Sequence, residues 1–198
     1  MLDNIVVRTV KLVPSVTDDD IQRLHKVYTA LNDLKSEGSE TTHLQTVETQ
    51  SAVEDGDLVI ELSPIGCVRR PKLLEVGNWL RQLLTALTYW HRYNYCHGDI
   101  RKSKIIYVPI DDSGYWALIG MDKSHKPGTT VISWSHKYLN KRLQFQHDLY
   151  QLGKLMEELG YNLPEHLTAM QTFLLSGIDT PELTAEKALA KLEQLLQD

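Results

Sequence analysis

The stretch that most narrows the folds open to this chain runs from Leu73 to Val108. Leu73, Val76, Leu80, Leu83, Leu84, Leu87 and Trp90 recur at three- and four-residue spacing. That period predicts one long helix over Leu73–Arg92 whose apolar stripe is core. A polar loop follows, Tyr95-Cys96-His97-Gly98-Asp99-Ile100-Arg101-Lys102-Ser103-Lys104, in which one acid, Asp99, stands among bases. The β-branched run Ile105-Ile106-Tyr107-Val108 comes next and predicts a strand.

Ahead of this stretch, Ile5 to Val13 is strongly β-branched and predicts a strand ended by Pro14. Thr17 to about Ser36 predicts a helix. Thr17 is a suitable N-cap, and Asp18, Asp19 and Asp20 lie where the helix dipole favours acids. Leu34–Thr42 is a polar connection. His43–Ser51 and Asp57–Leu62 predict two more strands, turning at Glu54-Asp55-Gly56-Asp57. Beyond the central stretch, Asp111–Gly114 predicts a turn before a strand over Tyr115–Ile119. Helices are expected from Asp148 onward, over Leu163–Leu175 and over Thr184–Leu196, with Thr180-Pro181 marking a turn or helix start.

The segment His97-Gly98-Asp99-Ile100, delivered by a helix and closed by a strand, resembles the catalytic loop H-R-D-L-x-x-x-N of the protein-kinase-like superfamily, in the HGD form of its atypical branches. Asp148-Leu149-Tyr150-Gln151-Leu152-Gly153 is similar to the D-x-x-x-x-G opening of that family's central helix, and Thr184-Ala185-Glu186-Lys187-Ala188-Leu189 to a terminal one. The resemblance spans about residues 5–196. It implies an α+β, two-lobed fold: residues 1–66 as a small β-rich lobe with its hinge, 67–198 as a helical lobe. With four residues ahead of the first strand, the small lobe is expected to lack the Gly-rich loop.

The same resemblance distributes roles. Asp99 takes the catalytic base position and Arg101 the place of the loop lysine. Lys11 is the candidate phosphate-holding lysine, with Arg8 as runner-up and a plain edge-strand lysine as the alternative. Ile60 guards the back of the adenine site, and backbone groups of Glu61 and Ser63 face the purine. The helix Glu that should pair with the strand lysine falls at Val27. Asp148 and Gly153 are structural, with Asp148 expected to accept hydrogen bonds from the backbone around His97 and Gly98. Arg142 and Glu182 are expected to form an ion pair with charges exchanged relative to the family. The two magnesium-ligand positions hold Lys104 and Gly120, with Asp122 as a conceivable substitute. Phosphoryl transfer needs a carboxylate at the acceptor and metal-holding side chains, and an ammonium has donors only.

Composition limits the alternatives. The 198 residues carry a net charge of −5, which argues against nucleic acid as the main partner. Cys67 and Cys96 form neither a CxxC pair nor a disulfide framework, so a reducing cytoplasmic or nuclear setting is expected. No apolar leader or membrane span is apparent, and the mature chain is expected to start near Met1. The spacing of the histidines matches no zinc site. The expected function is therefore a pseudokinase: a scaffold that docks another protein, such as an active kinase or its regulator, with no cofactor or with ATP bound without magnesium. The alternatives are a divergent phosphotransferase using Asp99 as base and Asp122 for magnesium, and a metal-independent nucleotide sensor in which Lys104, Lys11 and Arg101 neutralise phosphates.

Overall fold

The apolar stripe between Leu73 and Arg92 forms the centre of the molecule. Its first turn, Leu73–Glu75, is 3-10, and the α-helix runs Val76–Arg92. One side buries Val76, Trp79, Leu80, Leu83, Leu84, Leu87 and Trp90. Each large apolar side chain so buried contributes about 1.5–3 kcal/mol, far more than helix propensity supplies. The structure is a computed structural model and describes residues 6–10, 17–54, 57–111, 113–135 and 138–197.

In chain order the elements are β1 (Val6–Val10), α1 (Asp18–Asp33), α2 (Ser39–Thr42), β2 (Thr46–Glu54) and β3 (Asp57–Ser63). After α3 (Val76–Arg92) come β4 (Ile105–Ile110), β5 (Ser113–Leu118), α4 (Phe145–Glu158), α5 (Glu165–Ser176) and α6 (Ala185–Gln197). The class is α+β. One antiparallel sheet has the order β1-β3-β2, and β4 and β5 form a separate antiparallel pair.

α1 starts where its chemistry dictates. Thr17 and Asp20 form a capping box, the Thr17 hydroxyl receiving the Asp20 amide and the Asp20 carboxylate receiving the Thr17 amide. Leu24, Val27, Tyr28 and Leu31 face inward, and a 3-10 turn, Leu34–Glu37, ends the helix. The expected polar connection instead contains the short helix α2, stopped by His43 in the left-handed region (φ 55°), so β2 begins three residues later than the sequence pattern suggests.

A single cluster of buried side chains joins α1, β2 and β3 to the helices α3–α6. Ties on two sides fix the β4–β5 pair to its surroundings. Cys67 and Tyr107 exchange backbone hydrogen bonds of 2.9 and 2.8 Å, and the Arg69 guanidinium lies 3.8 Å from the centre of the Tyr107 ring while pairing with Glu75. On the other side, the Leu118 amide donates to His43 O at 2.8 Å. Gly153 lets α4 and α5 approach closely, since a Cβ there would meet Leu174 and Leu175 at 3.1 Å. Among the described residues, no helix is long and apolar enough to cross a membrane.

Candidate functional site

The loop after α3 is held from beneath by one buried acid. Asp148, wholly buried near the start of α4, accepts the His97 amide (2.7 Å) on Oδ2 and the Gly98 amide (2.8 Å) on Oδ1, and His91 donates to it through Nε2 (3.0 Å). Three residues further along α4, Gln151 accepts the Ile100 amide (3.1 Å). The Asp99 amide donates to His97 Nδ1 (3.1 Å), and His97 Nε2 donates to Ile119 O (3.0 Å). The loop amides from 97 to 100 are thus all satisfied, as buried backbone donors must be. Because Nδ1 accepts and Nε2 donates, His97 is the neutral Nε2–H tautomer. Burial also lowers its pKa. Gly98 adopts φ +78°, a conformation that favours glycine.

This framework aims Asp99 outward. Its Oδ1 meets Arg101 Nε at 3.1 Å, and its Oδ2 lies 3.9 Å from Lys104 Nζ. The same ammonium lies 3.9 Å from Asp122 Oδ1. Both separations are ion-pair rather than hydrogen-bond distances. Lys104 reaches this position by crossing Gly120, where a Cβ would stand 2.6 Å from Nζ and 2.7 Å from Cδ of the lysine. Gly120 is left-handed (φ +83°) and starts the turn Met121–Lys123 that carries Asp122. The structure therefore gathers Asp99, Arg101, Lys104, Gly120 and Asp122 into one patch.

That patch does not match the donor set of the magnesium that the kinase resemblance implies. Position 104 offers only N–H groups, position 120 has no side chain, and the ammonium lies between the two carboxylates. Among the described residues, no group of three His, Cys, Asp or Glu side chains is disposed to hold a metal ion.

The other expected site residues are placed as follows. Lys11 lies outside the described residues, and Arg8 lies on β1 opposite Ile60. Glu61 sits in the central strand with Val7 opposite on one side and Thr49 on the other, so its main chain lies inside the sheet rather than at an edge. The Ser63 hydroxyl donates to Glu48, which also pairs with Lys35. Arg142 and Glu182 require a correction, because the expected ion pair is not formed. Both are exposed; Arg142 donates to Gly128 O at 2.8 Å, and its neighbour Lys141 is the one that reaches across, to Asp179 at 3.7 Å. Backbone bonds from Ile132 N to Lys141 O and from Leu143 N to Thr130 O join residues 130–132 to residues 141–143, and this pairing directs Arg142 back onto Gly128.

Four contributors escaped the sequence analysis. Arg23 in α1 donates through Nη1 to both Asp122 O and Ser124 O at 2.9 Å, tying that helix to the turn after β5. Its signal was position: it lies one helical turn before Val27. Trp90 donates to the buried Ser124 hydroxyl at 3.0 Å. His91 and Gln151 share the loop-holding work with Asp148. His91 belongs to a helix read for its apolar period, which says nothing about polar partners, and Gln151 stands at a position that the Asp148–Gly153 motif leaves open.

Two open hollows, of about 300 and 310 Å³, flank Asp99 and Arg101 and meet at Trp134. One is lined by Tyr150, Gln151 and Lys154, the other by Lys123, His125 and Ser133.

No family model matches the chain. Over 114 residues, 57% of its length, it is 31% identical to Protein LYK2 of Arabidopsis thaliana, and that match covers 17% of the length of LYK2.

Proposed function

We propose that this chain is a protein-kinase-like domain that keeps the architecture around its loop, has lost metal-dependent phosphoryl transfer, and works as a protein-binding or regulatory module. The observation that carries this is a contrast within one loop. The backbone of residues 97–100 is fully held by Asp148, Gln151 and His97, while the positions for metal donors hold an ammonium and a glycine. A carboxylate at position 99 whose donor positions hold an ammonium and a glycine, with that ammonium also set against Asp122, lacks the electrostatic means of phosphoryl transfer.

Three further points support the reading. Strand, helix, two strands, long helix, HGD loop, strand pair and Asp148 helix follow the order that the resemblance calls for. On that reading, the sheet with α1 is the small lobe and α3–α6 the large one. The partial similarity to LYK2, a receptor-like kinase, points the same way. The hollows beside Asp99 are walled by Trp134 and Tyr150 and carry Arg101, Lys123 and Lys154 together with Asp99 and Glu158, a mixed apolar and charged lining that suits an extended protein segment. Such a segment could belong to an active kinase or its regulator.

The test is transfer of labelled γ-phosphate with magnesium or manganese, to the chain itself and to generic protein acceptors. No transfer above an Asp99→Asn control is expected. Transfer that disappears with Asp99→Ala contradicts the reading and favours a phosphotransferase. Thermal shift with ATP sorts the nucleotide roles, because a ligand that binds only the folded state raises Tm with ln(1 + [L]/Kd). No shift fits a pure binding module, a shift that survives EDTA adds a metal-free nucleotide role, and a shift confined to magnesium favours the enzyme.

A further inference from the structure

We propose that Lys104 is a built-in cation that takes a divalent ion's place between Asp99 and Asp122, and that Gly120 is the residue that admits it. The inference rests on the kinase-like reading only for the expectation that a metal belongs here. The arrangement itself is geometric.

Two departures from the family pattern, a lysine at 104 and a glycine at 120, look independent in the sequence. In three dimensions they are one exchange. The lysine side chain is 13% exposed, so its methylenes are packed rather than solvated. Its path runs over the α-carbon of Gly120, where any side chain would meet Cδ and Nζ at 2.7 and 2.6 Å. An aspartate at 120 would therefore displace the ammonium, and a smaller residue at 104 would leave two carboxylates without the cation between them. Each departure makes the other tolerable.

The position of Nζ is that of a counter-ion. It stands 3.9 Å from an oxygen of each acid, and Asp99 has Arg101 on its other oxygen. Asp99 thus has cations on both of its oxygens, and Asp122 has the same ammonium beside it, without a soluble ion. Arg23 holds the Asp122 backbone and so fixes the turn that presents the second acid. A tethered ammonium is desolvated once, as the chain folds, and cannot be removed by a chelator, whereas magnesium must give up waters at each entry and does so reluctantly. The electrostatics of this loop are thus independent of divalent-ion concentration. Removing the ammonium opens a site with two carboxylates for a hard divalent cation.

The experiment uses the full chain and manganese alone, with neither nucleotide nor protein partner, so its outcome is separate from that of the binding role proposed above. Manganese binding is titrated by electron paramagnetic resonance for the native chain, Lys104→Asn, and Lys104→Asn with Asp122→Asn. One saturable site is expected in Lys104→Asn, at least tenfold tighter than anything in the native chain, and lost in the double variant. A second measurement serves if Lys104→Asn folds poorly. The drop in Tm caused by Gly120→Ala is compared in native and Lys104→Ala backgrounds, because alanine removes the methylenes that a Cβ at 120 would meet. The strain of a positive φ is common to both, so a drop larger by a few degrees in the native background reports the coupling of the two positions. Manganese bound equally well by native chain and Lys104→Asn overturns the proposal. So does a Gly120→Ala penalty of the same size in both backgrounds.

Discussion

The two ends of one loop are built by opposite rules. The inner end is the backbone from His97 to Ile100, whose hydrogen bonds are buried or part-buried, short, between 2.7 and 3.1 Å, and directed. The outer end, Asp99 to Lys104 with Asp122, is partly exposed, and two of its charge pairs stand at 3.9 Å. Buried polar groups are costly to leave unpaired and so are matched individually. Part-exposed charges need only rough compensation, which water and salt share. The inner end therefore determines whether the chain folds, and the outer end can change its chemistry at little cost to stability.

The largest expected effect tests the inner end. Asp148→Ala leaves two buried amides and the His91 donor without an acceptor and should cost about 3–5 kcal/mol, read as a lower urea midpoint. Lys104→Met at the outer end removes two 3.9 Å ion pairs but no buried backbone hydrogen bond, and should cost less than Asp148→Ala in the same assay. Penalties of equal size would erase the distinction between the two ends.

Acid titration sharpens it. Burial lowers the pKa of His43 to about 4 and also depresses those of His97, His125 and His147. The unfolded chain takes up these protons near pH 6.5 and the folded chain does so only at lower pH. Stability is accordingly full above about pH 6.5 and falls below it, by up to about 1.4 kcal/mol per pH unit for each histidine still neutral in the folded state. Glu48 and Glu75, lowered chiefly by hydrogen bonds from Lys35 and Arg69, add their loss only further down, below the usual carboxylate range. Urea midpoints at pH 7.5 and 5.5 isolate the histidine share. An unchanged midpoint would mean that these rings are not held neutral.

Arg23→Met should cost about 1.5–3 kcal/mol, since a charged donor leaves two carbonyls, and hydrogen exchange in the turn around Asp122 should quicken. The smallest effect is expected at Arg142 and Glu182. With no pair between them, Arg142→Ala should change stability by at most about 0.5 kcal/mol, and charge reversal at Glu182 should neither rescue nor worsen it.

Periodicity and capping chemistry made much of the fold legible. The stripe from Val76 to Trp90, the Thr17 cap and the β-branched runs before and after Asp99 are local signals, and the elements appear where those signals lie. α2 was not legible, because a four-residue helix stopped by a left-handed His43 leaves no period to read. At the site, the residue types at 99, 104, 120 and 122 were visible, but not that Lys104 crosses Gly120 to stand between two acids. That relation joins β5's exit to a loop sixteen residues earlier and exists only once β4 and β5 have paired. The Arg142–Glu182 expectation failed because it took the family's pairing without the local backbone pairing of Val131 with Arg142 that turns Arg142 onto Gly128.

The most direct test is a crystal of the native chain soaked in manganese, with anomalous scattering recorded around Asp99 and Asp122. The account predicts no anomalous peak there and Lys104 Nζ within about 4 Å of both carboxylates, the range of an ion pair. A manganese peak bridging the two acids, with the lysine swung away from Gly120, would contradict it.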